Sequence, residues 1–257
     1  MNKLVTTDTV DTQYKNPNKL NIRIQLHQLY STNKEGFNNW IVKHYNIKKE
    51  SSILELGCGT GITWKEHTHL LQDCKEVYLT DLFEGMIKEA KTNIGEHSNI
   101  HYEVVNAEEL PYEDERFDIV IANMMLYHIP NLDKALSEIR RVLKKNGIFY
   151  CATYGENGVE SFINQMLNVQ TERQHTFTLQ NGEDILEHWF PSVEKLEYVD
   201  KLRISDRSDL VEYIQSFKEM NDWQNYSEDE LYRLISNYKK QGVIEIPKEY
   251  GMFVSRK

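Results

Sequence analysis

The sequence predicts an α/β fold built on a mostly parallel β-sheet with helices on both faces. Two observations support this prediction. Short apolar segments alternate with amphipathic helical patterns through residues 51–154, as expected for strands buried on both faces. The first segment runs directly into "GCGTG" (57–61), a glycine-rich turn at the end of a strand. Open α/β sheets bind their ligands at the edge where such turns lie.

Five segments have the length and composition of buried strands. In chain order they are "SSILELG" (51–57), "EVYLTD" (76–81), "IHYEVVNA" (100–107), "FDIVIANMML" (117–126) and "IFYCATY" (148–154). Helical patterns lie between them, in "ITWKEHTHLLQ", "EGMIKEAKTNIGE" and "NLDKALSEIRRVLKKNG". Gly147 is predicted to end the last of these helices.

The alternation is looser after residue 155. "GVESFINQMLNVQ" and "NGEDILEHWF" are predicted helices, and Asn181 is the expected N-cap of the second. Residues 193–204 alternate as a strand does, and "YGMFVSRK" is predicted to be the final strand. Two more helices are expected between these strands, and the second begins with Ser227 and Glu230 at the spacing of a capping box.

The predicted organisation is therefore one α/β domain with helical additions. We place an N-terminal helical cap segment at residues 1–45 and the domain itself at 46–257, with a helical insertion at about 206–242. The chain has no internal repeats and only five prolines.

Composition narrows the classes of function. No segment approaches the roughly 18 apolar residues that a membrane helix needs, and the start lacks the apolar core of a signal peptide. We therefore expect no membrane partner. The net charge of −10 argues against a nucleic-acid partner, because phosphate-binding surfaces are basic. Three irregularly spaced cysteines form neither a disulfide framework nor a zinc motif, so a cytoplasmic location is expected.

The glycines follow a carboxylate in the pattern E-x-G-x-G-x-G, at Glu55, Gly57, Gly59 and Gly61. The dinucleotide-binding pattern G-x-G-x-x-G would require glycine at position 62, which is Ile62. Glycine allows close approach of a ligand to the backbone, which is a reason to keep three of them in one turn. The alternative is a tight strand-to-helix turn with no ligand.

Asp81 stands at the end of the second predicted strand, 24 residues after Gly57. A carboxylate at this place in a nucleoside-binding sheet can accept both ribose hydroxyls. Asp81 can equally cap the helix that follows, and the two roles are compatible. If it binds ribose, Asp81→Ala is expected to weaken cofactor binding with little effect on the melting temperature of the free protein.

Residues 51–154 resemble the core of class I S-adenosylmethionine-dependent methyltransferases, especially the group that acts on small molecules. Four stretches carry the resemblance, "ILELGCGTG", "LTD" with "GMIKEAK", "NAEELPYEDERFDIVIAN" and "VLKKNGIFYCAT". It implies a Rossmann-like sheet of seven strands in the order 3-2-1-4-5-7-6, with the last strand antiparallel. It also implies that the helical additions cover the substrate site.

The resemblance assigns expected roles in binding S-adenosyl-L-methionine. The glycine turn approaches the methionine part of the cofactor, and Glu55 orients the turn or reaches the methionine amino group. Asp81 holds the ribose. Leu82 and Met86 sandwich the adenine, Ala107 and Glu108 border its edge, and Asn123 faces the methionine end of the cofactor. Asn106 stands where many relatives carry Asp, and it can still accept a bond from the adenine amino group. The full set of expected cofactor-binding residues is Tyr14, Arg23, Glu55, Gly57, Cys58, Gly59, Gly61, Asp81, Leu82, Met86, Asn106, Ala107, Glu108 and Asn123.

Methyl transfer by in-line displacement needs positioning and a dry site more than it needs a base. His128, after the fourth strand, is the candidate base if the nucleophile carries a proton, and packing in the loop is its alternative role. Tyr14 is a second catalytic candidate, since its ring or hydroxyl could lie near the sulfonium, and Arg23 could help to close over the cofactor. An ordinary helical position is the alternative for Tyr14.

The function predicted is methyl transfer to a small-molecule acceptor whose reacting atom (O, N, S or C) stays open. A nucleic-acid methyltransferase is one alternative, although Asn123 is followed by Met-Met-Leu and not by Pro-Pro-aromatic. A non-catalytic cofactor-binding or scaffold protein of the same fold is the other. We predict no metal, because His67 and His69 have no evident further ligands.

Overall fold

The computed structural model describes residues 17–170, 176–217 and 222–257. The strands are β1 (Ser52–Leu56), β2 (Glu76–Asp81), β3 (Ile100–Val104), β4 (Phe117–Ile121), β5 (Leu143–Tyr154), β6 (Ser192–Ile204) and β7 (Ile244–Arg256). The α-helices in these ranges are α1 (Pro17–Tyr30), α2 (Phe37–Lys43), α3 (Ile62–Lys65), α4 (Glu84–Ile94), α5 (Leu132–Val142), α6 (Val159–Leu167), α7 (Gly182–Glu187), α8 (Arg207–Gln215) and α9 (Glu228–Asn237).

The seven strands form one sheet in the order β3-β2-β1-β4-β5-β7-β6, which confirms the predicted order. Strands β1 to β5 pair in parallel, and the register places Ile53 beside Val77 on one side and Ile119 on the other. Strand β7 runs antiparallel to β5. The backbone bonds show this direction, because Lys257 bonds to Gly147 near the start of β5.

The chain divides into two compact units, which we describe separately. Unit A comprises residues 37–154, 175–198 and 251–257, and it contains β1 to β5 complete. Among the described residues, unit B comprises 17–36, 155–170, 199–217 and 222–250, and it contains the helices α1, α6, α8 and α9.

The core of unit A lies on both faces of the sheet. Successive residues of β1 point to opposite faces, so Leu54 and Leu56 belong to one apolar cluster and Ile53 to the other. All five residues of β1 are buried. A fully buried strand fixes the position of the turn that follows it, because its register cannot slip without exposing apolar side chains.

The segment after the glycine turn is not the single long helix that the sequence predicts. Helix α3 has only four residues, and a short 3₁₀ helix follows at Thr68–Leu71. The hydroxyl of Thr68 donates to the carbonyl of Trp64 at 2.9 Å, and the backbone N–H of His67 bonds to the same carbonyl. These bonds satisfy the Trp64 carbonyl outside the α-helical ladder, so the helix ends early.

The prediction that Gly147 ends the third helix is wrong. Helix α5 ends at Val142, and Leu143 already pairs with Phe117 of β4. Gly147 therefore lies inside β5. A Cβ atom at Gly147 would come within 2.7 Å of the Leu143 side chain, so packing inside the strand is the reason for a glycine there.

Strand β7 is longer than predicted, since it begins at Ile244 instead of Tyr250. Pro247 obscured this part of the strand, because proline usually argues against a strand interior. The side chain of Pro247 is exposed while Ile246 and Lys248 on either side are buried.

Two predicted helix starts have different outcomes. The capping box at the start of α9 is confirmed, because the Ser227 hydroxyl accepts from the Glu230 backbone and the Glu230 carboxylate accepts from the Ser227 backbone. Asn181 does stand at the N-cap position of α7, but its side chain makes no capping bond. Its Oδ1 accepts from the backbone N–H of Thr178 at 2.7 Å instead.

Unit B has its own apolar core, around Trp223 and Leu26, together with a buried ion pair. The Lys248 Nζ lies 2.9 Å from Asp200 Oδ2, and both side chains are almost fully buried. No α-helix in the described ranges is both long enough and apolar enough to cross a membrane.

Candidate cofactor site

The glycine turn of unit A is held by the end of β2. The N–H of Cys58 donates to the carbonyl of Thr80 at 2.8 Å, and the N–H of Gly59 donates to Asp81 Oδ2 at 3.0 Å. All three glycines of the turn have left-handed backbone angles, with φ of 67° at Gly57, 55° at Gly59 and 71° at Gly61. This conformation costs other residues about 1–2 kcal/mol, which explains glycine at each position.

The surroundings of the three glycines differ. A Cβ at Gly57 would lie 2.9 Å from the Met125 side chain, and one at Gly61 would lie 2.6 Å from Ile94 Cδ1. At Gly59, no heavy atom in the described ranges lies within 4 Å of the Cβ position. Packing within the protein therefore accounts for Gly57 and Gly61. Gly59 is the position where a ligand can approach the main chain.

Asp81 is 9% exposed and stands at the carboxyl end of β2. Its Oδ1 accepts from the N–H of Phe83 at 3.0 Å, while its Oδ2 accepts from Gly59. Phe83, not Asp81, occupies the N-cap position of α4, so Asp81 makes an Asx turn ahead of the helix. Burial raises the pKa of Asp81 and the backbone N–H groups oppose the rise. A carboxylate has about four acceptor positions, so two backbone bonds leave capacity for ribose hydroxyls.

Glu55 is a buried carboxyl group at the end of β1, only 2% exposed. Its Oε2 accepts from the indole Nε1 of Trp64 at 2.6 Å. Burial raises the pKa of Glu55 to about 7, and the nearby Asp81 charge adds to the rise. Hydrogen bonds from Trp64 and Asn123 oppose it. Glu55 is thus an acceptor that a buried ammonium group would pair with and keep ionised.

Asn123 lies just beyond β4, on the same face as Glu55. Glu55 pairs with Ile121 in the sheet, and Asn123 follows Ile121 by two residues. The Asn123 Nδ2 donates to the hydroxyl of Tyr45 at 2.7 Å. Its Oδ1 is buried and has no hydrogen-bond partner within the described part of the chain. Such an acceptor is costly to leave unpaired, so a donor on a ligand would stabilise it.

The residues expected to sandwich adenine, Leu82 and Met86, and the residue expected at its edge, Ala107, follow β2 and β3 at the same edge of the sheet. Leu82 directly follows β2 and is 46% exposed, although it is apolar. Met86, in the first turn of α4, is half-buried, while Ile87 on the helix face that meets the sheet is buried. Ala107, after β3, is buried. The exposed Leu82 provides an apolar surface of the kind that a flat aromatic ring can cover.

Asn106 and Glu108 shape the loop after β3. The exposed Asn106 accepts from the N–H of Glu108 at 2.9 Å, which is an Asx turn. The Glu108 Oε1 accepts from the N–H of Asn131 at 3.1 Å. Both side chains thus have structural partners in addition to the binding role proposed for them.

Cys58 is the second residue of the turn and is half-buried. Burial raises the pKa of its thiol well above the usual range, and the Glu55 and Asp81 carboxyls add to the rise. The thiol is therefore not a nucleophile at neutral pH, since the thiolate is the reactive form.

The segment after β4 contains a strained residue. Met124 has a φ of 52°, an uncommon angle for a side chain of this size, and its N–H donates to the Ala152 carbonyl at 2.8 Å. Strained backbone of this kind occurs most often at functional sites. His128 follows in a short 3₁₀ helix at Leu126–His128 and is half-buried. Its ring centre lies 4.4 Å from that of Tyr127.

Tyr14 and Arg23 are the remaining expected site residues. Tyr14 lies outside the described residues. Arg23 belongs to unit B, where its guanidinium donates to the hydroxyl and the carbonyl of Ser216 and lies 3.8 Å from the ring centre of Phe217.

Sequence reasoning missed Tyr45 and Trp64, the two side chains next to the polar groups of the turn. Trp64 is fully buried and bonded to Glu55, and Tyr45 is bonded to Asn123. The position of Trp64 in the first turn after the glycines was a usable signal. Tyr45 had none, because it is 78 residues from Asn123 along the chain.

Known proteins match this part of the chain. A family model described as a methyltransferase domain matches residues 54–151, which contain the glycine turn, Asp81 and Asn123. Residues 54–151 form a class I S-adenosylmethionine-dependent methyltransferase domain. The ubiquinone/menaquinone biosynthesis C-methyltransferase UbiE of Shewanella oneidensis is 37% identical over 113 residues, which cover 41% of this chain and 45% of that protein. The chain therefore spans less than half the length of this curated relative.

Solved structures share the fold of the methyltransferase domain. A protein from Bacillus halodurans C-125 proposed to be a methyltransferase aligns with a TM-score of 0.59 and 21% identity, over 86% of this chain and 98% of that chain. A phosphoethanolamine N-methyltransferase 2 from Haemonchus contortus, in complex with S-adenosylhomocysteine, aligns with a TM-score of 0.58 and 21% identity. The alignment covers 97% of this chain and 59% of the Haemonchus chain.

The buried Glu55 leads to a testable pH dependence of stability. Its pKa is about 7 in the folded protein and 4.5 as its ordinary value, so the folded state binds more protons between these two pH values. The contribution is therefore fully present below about pH 4.5 and is lost as the pH rises through 7, by an amount on the order of 3 kcal/mol. In Glu55→Gln this loss should disappear. Urea unfolding of both proteins from pH 5 to pH 8 measures it, and parallel stability curves would contradict the assignment.

Proposed function

We propose that the chain transfers a methyl group from S-adenosyl-L-methionine to a small-molecule nucleophile. The observation that carries the proposal is the grouping of Glu55, Gly59, Asp81 and Asn123 at one edge of the sheet of a methyltransferase domain. Each of these residues offers what one part of the cofactor needs: acceptors for an ammonium, an open approach to the main chain and a carboxylate for ribose hydroxyls.

The residues of the chain would hold the cofactor in a fixed orientation. Glu55 and Asn123 Oδ1 supply acceptors for the amino group of its methionine part, which suits their burial and the unpaired state of the amide oxygen. Gly59 allows the main chain to approach, and Asp81 accepts from the ribose hydroxyls. S-adenosyl-L-methionine supplies a methyl group on a sulfonium, which makes it electrophilic. The contribution of the chain is to orient this group toward the acceptor and to exclude water.

Leu82 and Met86 would sandwich the adenine ring, and Ala107 would border its edge. Leu82 offers exposed apolar surface and Met86 a flexible, polarisable side chain. Asn106 and Glu108 border the ring edge, where the Asn106 side chain replaces the carboxylate of many relatives. An amide still offers an acceptor to the adenine amino group, so adenine recognition does not require a charge.

The acceptor is proposed as a small molecule, in line with the acidic net charge of −10, which disfavours nucleic acid. The Shewanella relative is named as a C-methyltransferase of ubiquinone and menaquinone biosynthesis. The site residues that we place within 54–151 are those for the cofactor and His128, and none of them is assigned to recognising the acceptor. The relative's name therefore does not fix the acceptor of this chain. We propose a cytoplasmic location from the cysteine pattern. None of the three cysteines forms a disulfide.

Two experiments test the function. Calorimetry should show S-adenosylhomocysteine binding with micromolar affinity and no comparable binding of NAD. Radiolabel from S-adenosylmethionine should then move to a small-molecule fraction of a metabolite extract. Label transfer to DNA or RNA would favour the nucleic-acid alternative. Tight binding without transfer to any fraction would favour a cofactor-binding or scaffold protein.

His128, Tyr14 and Arg23 stay proposals. His128 stands just beyond β4, where a base near the acceptor would be placed, and its ring touches Tyr127. If His128 removes a proton, His128→Gln should lower turnover while S-adenosylhomocysteine affinity is kept. Unchanged turnover across pH 6–9 would remove it from the mechanism. Tyr14→Phe and Arg23→Lys test the other two residues by the same comparison. Lower turnover or lower S-adenosylhomocysteine affinity at unchanged stability would support a role in the site, and wild-type values of both would not.

A further inference from the structure

The position of Asn123 depends on a tyrosine that the functional assignment does not use. Tyr45 follows α2 in unit A and is 9% exposed. Its ring lies between Trp64, with 5.9 Å between ring centres, and Tyr150, at 5.0 Å. Two large neighbours hold the ring, so the place of its hydroxyl is fixed by packing.

The Tyr45 hydroxyl and the Glu55 carboxylate together define which way the Asn123 amide points. The amide nitrogen has two N–H groups. It donates one bond to the Tyr45 oxygen at 2.7 Å. Asn123 also stabilises the ionised form of Glu55 and so lowers the pKa of that carboxyl group. If the amide were turned over, its oxygen would face an ionised carboxylate, and two acceptors would repel each other. Because the Tyr45 hydroxyl can donate as well as accept, the Glu55 charge selects the orientation of the amide. The bond to Tyr45 then holds the amide in that orientation, with Oδ1 presented elsewhere.

The amide oxygen left by this arrangement is buried and unpaired within the described part of the chain. A buried acceptor without a partner is unfavourable, and it is retained where something else binds it. Asn123 Oδ1 and the Glu55 carboxylate come from neighbouring strands and the same face of the sheet. Two such acceptors suit an ammonium group, which offers three donors.

We propose that Tyr45 is a positioning residue of the cofactor site, which acts through Asn123 to set the acceptor pair that binds the cofactor amino group. The proposal rests on the function proposed above. It assigns to Tyr45 no contact with the cofactor. Its hydroxyl keeps the Asn123 amide in one orientation, and that orientation supports the ionised form of Glu55.

The groups that face Glu55 come from several elements. Trp64 from α3 donates a hydrogen bond to its carboxyl group at 2.6 Å. Asn123 after β4 lowers the pKa of Glu55, and Asp81 from β2 repels its charge. Cys58 in the turn and Tyr45 after α2 are near enough to interact with the Glu55 charge, and both have raised pKa values. Trp64 and Asn123 do not titrate, and the pKa values of Cys58 and Tyr45 rise further above their ordinary range, while that of Glu55 is about 7. Binding of an ammonium group should therefore strengthen as the pH rises through about 7.

Tyr45→Phe removes the hydroxyl and keeps the ring. The Asn123 amide then loses the partner of one N–H, and its orientation is free to vary. We expect about tenfold weaker binding of S-adenosylhomocysteine, the effect of losing about one hydrogen bond. We also expect the pH midpoint of binding to move up by about one pH unit, because Asn123 then supports the Glu55 charge less well.

Tyr150→Phe is the matched control. Tyr150 is 1% exposed in the same aromatic cluster, and its hydroxyl accepts from the N–H of Asn46 at 2.9 Å. Like Tyr45→Phe, this variant loses one buried hydroxyl and the hydrogen bond that the hydroxyl accepts. The lost bond comes from the backbone of Asn46, and the bond between Tyr45 and Asn123 is kept. Affinity and pH midpoint should stay at the wild-type values.

Calorimetric titration with S-adenosylhomocysteine from pH 5.5 to pH 8.5 measures both quantities. Asn123→Ala and the double variant of Asn123→Ala with Tyr45→Phe complete a double-mutant cycle. The double variant should bind S-adenosylhomocysteine no more weakly than Asn123→Ala alone. The proposal would be overturned if the affinity losses of Tyr45→Phe and Asn123→Ala were additive in the double variant. Weaker binding by Tyr45→Phe without a shift in the pH midpoint of binding would also overturn it. Equal effects of Tyr45→Phe and Tyr150→Phe would do the same. If Tyr45→Phe does not fold, Tyr45→Met repeats the test with similar volume. Wild-type protein that fails to bind at any pH would contradict the proposed function instead.

Discussion

Asp81→Ala is expected to weaken S-adenosylhomocysteine binding by at least about 30-fold, which corresponds to roughly 2 kcal/mol. The reason is that the carboxylate would serve two ribose hydroxyls, and both lose a charged acceptor. Calorimetry at pH 7.5 measures the change. Unlike the sequence, the structure also predicts a lower melting temperature for the free variant, because the N–H groups of Gly59 and Phe83 lose their acceptor.

Asp118→Ala separates these two effects. Asp118 accepts from the N–H of Ser52 at 2.8 Å and pairs with Lys144 at 2.8 Å, at the amino-terminal ends of β1 and β4. Its loss therefore also removes a carboxylate that bonds to the main chain, but at the opposite edge of the sheet. We expect Asp118→Ala to lower the melting temperature and leave the affinity unchanged. Equal losses of affinity in both variants would mean that Asp81 acts only through the fold.

Gly61→Ala is expected to lower the free energy of unfolding by about 2–5 kcal/mol. Its φ of 71° costs a residue with a Cβ about 1–2 kcal/mol, and overpacking adds about 1–3 kcal/mol. The overlap is severe because the new atom would lie 2.6 Å from Ile94 Cδ1 and 3.2 Å from the backbone of Ala90. The Ile94 side chain would have to move, and the backbone of helix α4 at Ala90 would have to give by a few tenths of an ångström. Thermal unfolding monitored by circular dichroism measures the change.

Two control variants separate the cost of overpacking from the cost of the backbone conformation. Gly242 in unit B has a φ of 85°, and no heavy atom of the described residues lies within 4 Å of its Cβ position. Gly242→Ala should therefore show the backbone cost alone. Gly59→Ala should cost no more stability than that, yet it should lower cofactor affinity, because the added methyl group occupies the approach to the main chain. A Gly61→Ala variant as stable as Gly242→Ala would contradict the packing argument.

Part of this outcome was visible in the chain itself. The five parallel strands are local patterns, and their near-continuous apolar residues indicate burial on both faces wherever they occur. The spacing of Glu55, Gly57, Gly59 and Gly61 is likewise local, because a turn between a strand and a helix is built from consecutive residues. Asp81 could be placed from the same logic, since the carboxyl ends of parallel strands share one edge of the sheet.

Other features depended on partners far away in the sequence. Helix α5 ends at Val142 because Leu143 pairs with Phe117, and β7 extends through Pro247. The pKa of about 7 for Glu55 arises from burial by the surrounding core, which no spacing in the sequence records.

The contrast is sharpest at the site. A motif states which residue types follow one another, so the sequence alone was enough to identify the turn and the acid that faces it. The bond between Tyr45 and Asn123 joins residues 78 positions apart. Only the packing of Tyr45 between Trp64 and Tyr150 sets the place of its hydroxyl, and with it the direction in which the Asn123 oxygen points. Side-chain orientation in a buried polar group is decided by the partners that satisfy its donors, and tertiary structure alone brings those partners together.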